Sequence, residues 1–125
     1  SSLRANNLKI MHVVLESTPR FIAHRGAIAD GRKSAKIERL LMLLKGAIAA
    51  ATRVLLSMNV PKEKVDIVLK ILPALATPTV STLADPDWVE LSTVVEEKNV
   101  RELIPRLYEA GARGIIELPI NKIVE

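Results

Sequence analysis

The chain has 125 residues, enough for one domain-sized core and a short additional piece. Its 49% hydrophobic content is almost wholly aliphatic, with one Trp, one Tyr and one Phe, which excludes a disordered composition and predicts a core of Leu, Ile, Val and Ala. The absence of Cys excludes a disulfide framework, a thiolate metal site and a thiol nucleophile, while the charge of +4 is too evenly mixed with acids to form a basic footprint.

No run is long and apolar enough to cross a bilayer, and the opening SSLRANN lacks the basic start and apolar centre of a signal peptide. The absence of Cys fits a reducing compartment, and the expected one is the cytoplasm.

Along the chain, Leu8, Met11 and Leu15 recur at helical spacing, predicting a helix over 3–15 that Ser17, Thr18 and Pro19 stop. RFIAH, residues 20–24, reads as a short strand, and the glycine-bearing, charged RGAIADGRKS at 25–34 reads as a linker. Ser34 is a candidate N-cap for a long helix in which Ile37, Leu40, Leu41, Leu44 and Ile48 share a face. Met42, Leu43 and Ala47 widen that face, which predicts burial against two surfaces.

RVLLSMNV, residues 53–60, is short, apolar and closed by Pro61, as a strand would be. Pro61 then opens a helix carrying Val65, Val68, Leu69 and Leu72 on one face, and Pro73 ends it. Thr79 to Ala84 and Trp88 to Val95 alternate as two strands joined by ADPD, with Asp85 and Pro86 in the first two positions of a type I turn. Asn99 and Glu102 resemble a capping box for a helix with Val100, Leu103, Ile104 and Leu107 inward, and Gly111 is suited to cap its far end. Pro105 is awkward inside that helix. GIIEL, residues 114–118, is a last strand stopped by Pro119.

From Arg53 the order is strand, helix, strand, strand, helix, strand, the βαββαβ order of a ferredoxin-like α+β domain with two helices on one face of an antiparallel sheet. Its other face remains available for a ligand or another subunit.

No catalytic constellation stands out. His12 and His24 have no carboxylate at ligand spacing and read as structural or surface residues. Asp85 and Asp87 could pair for acid and base work, yet ADPD is ordinary turn chemistry, and the turn reading is favoured. SSLRAN offers hydroxyls, an Arg and backbone N–H groups that suit either a phosphate or a plain N-cap. Thr79 and Thr93 lie on strands beside Leu75 and Val94, with Asn59 at the end of the first strand; satisfied sheet hydroxyls and a small-molecule pocket both fit.

SSLRANNL, KIERLLMLLKGAIAA, LPALATPTVSTLADPDWVELSTVV and ELIPRLYEAGARGIIELPINKIVE together resemble the C-terminal portion of long-form ATP phosphoribosyltransferase, over essentially the whole chain. PTVSTLADPDWV and GARGIIELPINKI are the most specific parts. The resemblance implies an enzyme that joins ATP to phosphoribosyl pyrophosphate with Mg²⁺ in the first step of histidine biosynthesis, and a C-terminal regulatory domain that binds L-histidine as feedback inhibitor. It implies residues 1–28 as the end of the α/β catalytic region, in a helix and a strand, 29–52 as linker and long helix, and 53–125 as the ferredoxin-like regulatory domain.

On the same resemblance, Ser1 and Ser2 match the end of a phosphate-holding loop, and the histidine site falls on Asn59, Leu75, Thr79, Thr93, Val94 and Gly114. The implied assembly is a dimer-based hexamer. Relatives can carry an acid where Asn59 stands, and a neutral amide loses the charge-assisted bond to the ligand's ammonium. The body of the catalytic region is missing, so this chain alone is expected to be inactive, with no catalytic residue or metal ligand of its own.

Two other readings differ in class. A stand-alone amino-acid sensor of the same shape is disfavoured by the SSLRANNL remnant. An RNA-binding module would draw on the basic pI, but needs an aromatic stacking platform that Trp88 alone does not supply; nucleic acid and membrane are not expected partners.

Overall fold

A computed structural model describes residues 6–73 and 77–124. Two compact units are distinguished, one through Ser34 and one from Ala35 onward.

In the first unit, residues 8–24 form neither the expected helix nor the expected strand. Their apolar side chains, among them Met11, Val14, Leu15 and Ile22, are exposed. A short amphipathic segment gains most of its helicity from packing its stripe, and a lone strand has no partner for its backbone. The expected linker at 25–34 is instead helical. Helix α1 spans Arg25–Ala29, capped by His24, whose Nδ1 accepts a hydrogen bond from the Gly26 N–H at 3.1 Å.

Helix α2 spans Gly31–Ala50. Its N-cap is Asp30, not Ser34: Asp30 Oδ1 accepts from the N–H groups of Arg32 and Lys33 at 3.0 and 3.2 Å. A carboxylate there satisfies two orphan donors and meets the positive end of the helix, which outcompetes a hydroxyl one turn later. The wide apolar stripe is not buried on two sides within the chain. Gly46 and Ala50 are buried, whereas Leu40 and Ile48 are 45% and 73% exposed. At Gly46 the C-terminal segment comes close: the Ile123 N–H donates to the Gly46 carbonyl at 3.0 Å, and a Cβ on Gly46 would lie 3.0 Å from the Ile123 oxygen.

Strand β1, Arg53–Pro61, starts the expected sequence of elements. A 3₁₀ turn at Lys62–Lys64 leads into α3, Val65–Ile71, which ends ahead of Pro73. Strand β2 is Thr79–Thr82, two residues shorter than expected, and β3 is Trp88–Glu96. The turn between them is as read: the Trp88 N–H donates to the Asp85 carbonyl at 3.3 Å, and Asp85 Oδ1 accepts from the Asp87 N–H at 2.9 Å. Asp85 therefore holds its own turn in place.

Helix α4 spans Glu97–Glu109, starting two residues before Asn99, so Asn99 and Glu102 lie within it and form no capping box. The helix follows β3 with no loop, and Val100, Leu103 and Leu107 bury its inner face. Pro105 lies on the exposed side. There the missing N–H costs a helical bond, roughly 3 kcal/mol, while the packed stripe holds the helix together. Gly111 at φ +110° ends the helix in a Schellman motif, with Ala112 N–H to Leu107 O at 2.9 Å and Gly111 N–H to Tyr108 O at 3.1 Å. Strand β4, Arg113–Pro119, follows at once.

The four strands lie in the order β2-β3-β1-β4, antiparallel throughout. With the βαββαβ connectivity this is a ferredoxin-like α+β fold. Val54, Leu56, Met58 and Val60 alternate inward along β1, as do Val89, Leu91, Thr93 and Val95 along β3, and both rows belong to the buried interior with Val68, Leu103 and Leu107. Ferredoxin-like cores are thin, so each of these aliphatic chains carries weight.

Gly111→Ala tests the helix end. It places a side chain at positive φ, with its Cβ 2.6 Å from Lys64 Cδ. The expected loss is about 1–3 kcal/mol in urea unfolding, with Gly111→Asn less harmful.

Candidate functional site

Strand periodicity sorts the candidate residues by face. On β1, Leu55, Ser57 and Asn59 alternate with the buried row and so lie on the face without helices; on β3, Glu90, Ser92 and Val94 do the same. Directly paired residues of antiparallel strands share a face. Asn59 pairs with Glu90, Ser57 with Ser92 and Leu55 with Val94. On the outer side, Thr79 pairs with Ser92 and Ser81 with Glu90.

The result is two polar rows across three strands, Ser81–Glu90–Asn59 and Thr79–Ser92–Ser57. Neighbouring positions within a row are about 5 Å apart, and the rows about 7 Å apart. Next to them, Leu55, Val94, Ile116 and Leu118 form an apolar end, since Ser57 pairs with Ile116 and Leu55 with Leu118. The rows are tied together at one point, where the Ser57 hydroxyl donates to Glu90 Oε1 at 2.7 Å.

Gly114 belongs to the same side through a bulge. The β1–β4 register shifts between Ser57 and Asn59, and Gly114 there has φ +57°. A glycine in the left-handed region is what such a bulge requires, and it re-aims the start of the strand. A Cβ on Gly114 would lie 3.7 Å from Asn59 Nδ2, so the two residues adjoin. Arg113, paired with Asn59, is held elsewhere: its Nη1 donates to the Tyr108 and Ala112 carbonyls at 2.9 and 2.8 Å, and its guanidinium lies 4.2 Å from the Tyr108 ring centroid.

Of the six positions expected to form a small-molecule site, Asn59, Thr79, Val94 and Gly114 therefore come to the open side. Thr93 is 6% exposed and its side chain faces the helices, because it neighbours Val94 on a strand. Leu75, like Ser1 and Ser2, lies outside the described residues. Ser57, Glu90, Ser81 and Ser92 were missed by a reading that weighed residue types one at a time. The period-2 alternation of WVELSTVV, once paired with RVLLSMNV, carries the information that finds them.

Two clefts lie away from this face. One of ≈ 280 Å³ is lined by Ala50, Arg53, Val54, Glu97, Glu117 and Pro119. Another, ≈ 190 Å³, runs between α2 and the C-terminal segment by Gly46 and Ile123. The open face is one side of a four-stranded sheet. Among the described residues no three His, Asp or Glu side chains converge as a metal site.

The fold and this face define a ferredoxin-like domain whose open sheet surface carries a built polar patch. Residues 50–122 match the family model described as HisG, C-terminal domain. The chain belongs to that family. It is 51% identical over 124 residues to an ATP phosphoribosyltransferase of Desulforudis audaxviator (strain MP104C), covering 99% of this chain and 43% of the relative. Against the ATP phosphoribosyltransferase of Prosthecochloris aestuarii (strain DSM 271 / SK 413) it is 50% identical over 125 residues, covering 100% of this chain and 42% of the relative. The Solibacter usitatus (strain Ellin6076) enzyme of the same name is 49% identical over 124 residues. The chain thus spans less than half the length of these relatives.

The bulge is directly testable. Gly114→Val puts a β-branched residue at φ +57° and is expected to cost about 1–3 kcal/mol in chemical unfolding, whereas Gly114→Asn keeps most of the stability. Equal losses for the two variants would show that the positive φ is not what the position demands.

Proposed function

We propose that the chain is the regulatory part of an ATP phosphoribosyltransferase, the enzyme of the first step of histidine biosynthesis, and that it binds L-histidine as feedback inhibitor. The observation that carries this reading is identity of about one half, over 99–100% of the chain, to proteins of that name. The whole enzyme would join N1 of ATP to C1 of phosphoribosyl pyrophosphate, releasing pyrophosphate, with Mg²⁺ as its metal. Residues 1–28 would close the catalytic region, where Ser1 and Ser2 would contribute to phosphate binding, 29–52 would lead out of it, and 53–125 would sense the inhibitor.

Histidine would be held by Asn59, Leu75, Thr79, Thr93, Val94 and Gly114. Neutral hydroxyls and an amide suit the polar ends of an amino acid, and the aliphatic side chains suit the imidazole. Thr93 could take part through its strand's backbone or by supporting Val94 from below, since its side chain is turned to the helices. Because the open face is one side of a sheet, a neighbouring subunit would supply a second wall, in keeping with a dimer-based hexamer. The exposed stripe of Leu40, Leu44 and Ile48 on α2 supports such packing. Inhibition then follows from linkage: histidine favours whichever subunit arrangement binds it more tightly, and the catalytic region responds through that arrangement. The cytoplasm is the proposed compartment; no helix among the described residues is long and apolar enough to cross a membrane.

Calorimetric titration of the full chain with L-histidine is expected to give saturable binding that Thr79→Val weakens about five- to tenfold, the worth of one hydrogen bond. A turnover assay on the same chain is expected to yield no phosphoribosyl-ATP. Binding with no catalytic partner in the cell would favour the stand-alone sensor, and absence of histidine binding would remove the feedback reading.

A further inference from the structure

We infer that Glu90 is the ammonium-binding residue of the open-face site, an assignment that rests on the amino-acid reading above and adds a residue to it. Glu90 stands at the centre of the polar patch, on β3, with Asn59 directly across on β1 and Ser81 directly across on β2. It is half-buried there. One hydrogen bond orients it, from the Ser57 hydroxyl to Oε1 at 2.7 Å.

What marks Glu90 is a charge placed at the centre of a neutral polar patch. Asp30 and Glu96, by contrast, have cations close by: Lys33 at 3.5 Å from Asp30, and Lys98 at 3.5 Å and Arg53 at 4.0 Å from Glu96. Among the described residues no Lys, Arg or His forms an ion pair with Glu90. A carboxylate offers about four acceptor positions, and Ser57 uses one. The neighbours across the strands, Asn59 and Ser81, are neutral, so a cation supplied from outside gains a charge-assisted bond that no group of the patch already makes.

The cation is an organic ammonium rather than a metal ion. Mg²⁺ and Ca²⁺ demand about six or more oxygens, several of them charged, whereas this patch has one carboxylate and no converging group of three acidic or imidazole side chains among the described residues. The adjacent row, Thr79–Ser92–Ser57, lies about 7 Å from the Glu90 row. Its hydroxyls suit the carboxylate of the same ligand, since the Ser57 proton is committed to Glu90 while those of Thr79 and Ser92 are not engaged by any other described side chain. One zwitterion then bridges the two rows. Asn59, a neutral amide, completes the ammonium site across the strand from the charge instead of carrying it.

The test is calorimetry on the full chain with three probes: L-histidine, histamine, which keeps the ammonium and lacks the carboxylate, and imidazolepropionate, which lacks the ammonium. Glu90→Gln is expected to weaken L-histidine and histamine about tenfold or more and to leave imidazolepropionate unchanged. Ser57→Ala, which releases Glu90 without removing its charge, is expected to weaken L-histidine severalfold, and circular dichroism on both variants checks the fold. If Glu90→Gln fails to fold, the same ammonium-selective loss in Ser57→Ala carries the assignment. Unchanged histidine binding in Glu90→Gln, or equal losses for all three probes, overturns it while leaving the histidine reading intact. Absence of histidine binding by the unsubstituted chain is the distinct result that overturns the histidine reading and this assignment with it.

Discussion

The register of β1 against β3 is the constraint on which the rest of this domain depends. With Leu56 opposite Thr93 and Met58 opposite Leu91, one set of side chains forms the core, and the intervening set, Leu55, Ser57 and Asn59 opposite Val94, Ser92 and Glu90, forms the open face. A slip of one residue in β1 would send Ser57 and Asn59 into the interior and bring Leu56 and Met58 out to water, and the same slip in β3 would bury Glu90. Burying a charge without a partner is among the most costly events in folding, so the same pattern that fills the core also forbids the wrong pairing. Core and site are two readings of one alternation.

That alternation is why the second unit was legible in sequence. RVLLSMNV and WVELSTVV each state their period, prolines at 61 and 73 punctuate the helix between them, and ADPD supplies its own turn through the Asp85 side chain. The helix starts were less legible because caps compete locally. Asp30 captures two N–H groups before Ser34 can act, and α4 begins straight from β3 without a capping side chain. The segment 8–24 misled for a different reason. Its spacing is helical, but spacing is a request for a surface, and these side chains are exposed.

The site was half legible. Residue chemistry and family resemblance drew attention to Asn59, Thr79, Val94 and Gly114, which are brought to one side of the sheet, yet neither could say that Thr93 faces the opposite way from Val94. Nor could they mark Glu90, which in one dimension is another strand glutamate. Its position among hydroxyls emerges once three strands are laid side by side, since Ser81 and Asn59 are separated from it by 9 and 31 positions in the chain. Long-range pairing, not composition, assembles the patch.

Two glycines then fix the edges of that patch. Gly111 reverses the chain at the end of α4, and Gly114, three residues later, turns β4 into its bulge beside Asn59. Both have positive φ, so the segment that joins a core helix to the strand bordering the open face is built from conformations few other residues tolerate. Between them, Arg113 is drawn onto Tyr108 and the carbonyls of the helix end, which keeps a guanidinium from reaching the Glu90 row. An arginine in that row would neutralise the carboxylate and leave an external ammonium nothing to gain. The helix end therefore does more than stop a helix: it holds the guanidinium of Arg113, the residue paired with Asn59, on Tyr108 and away from the open face.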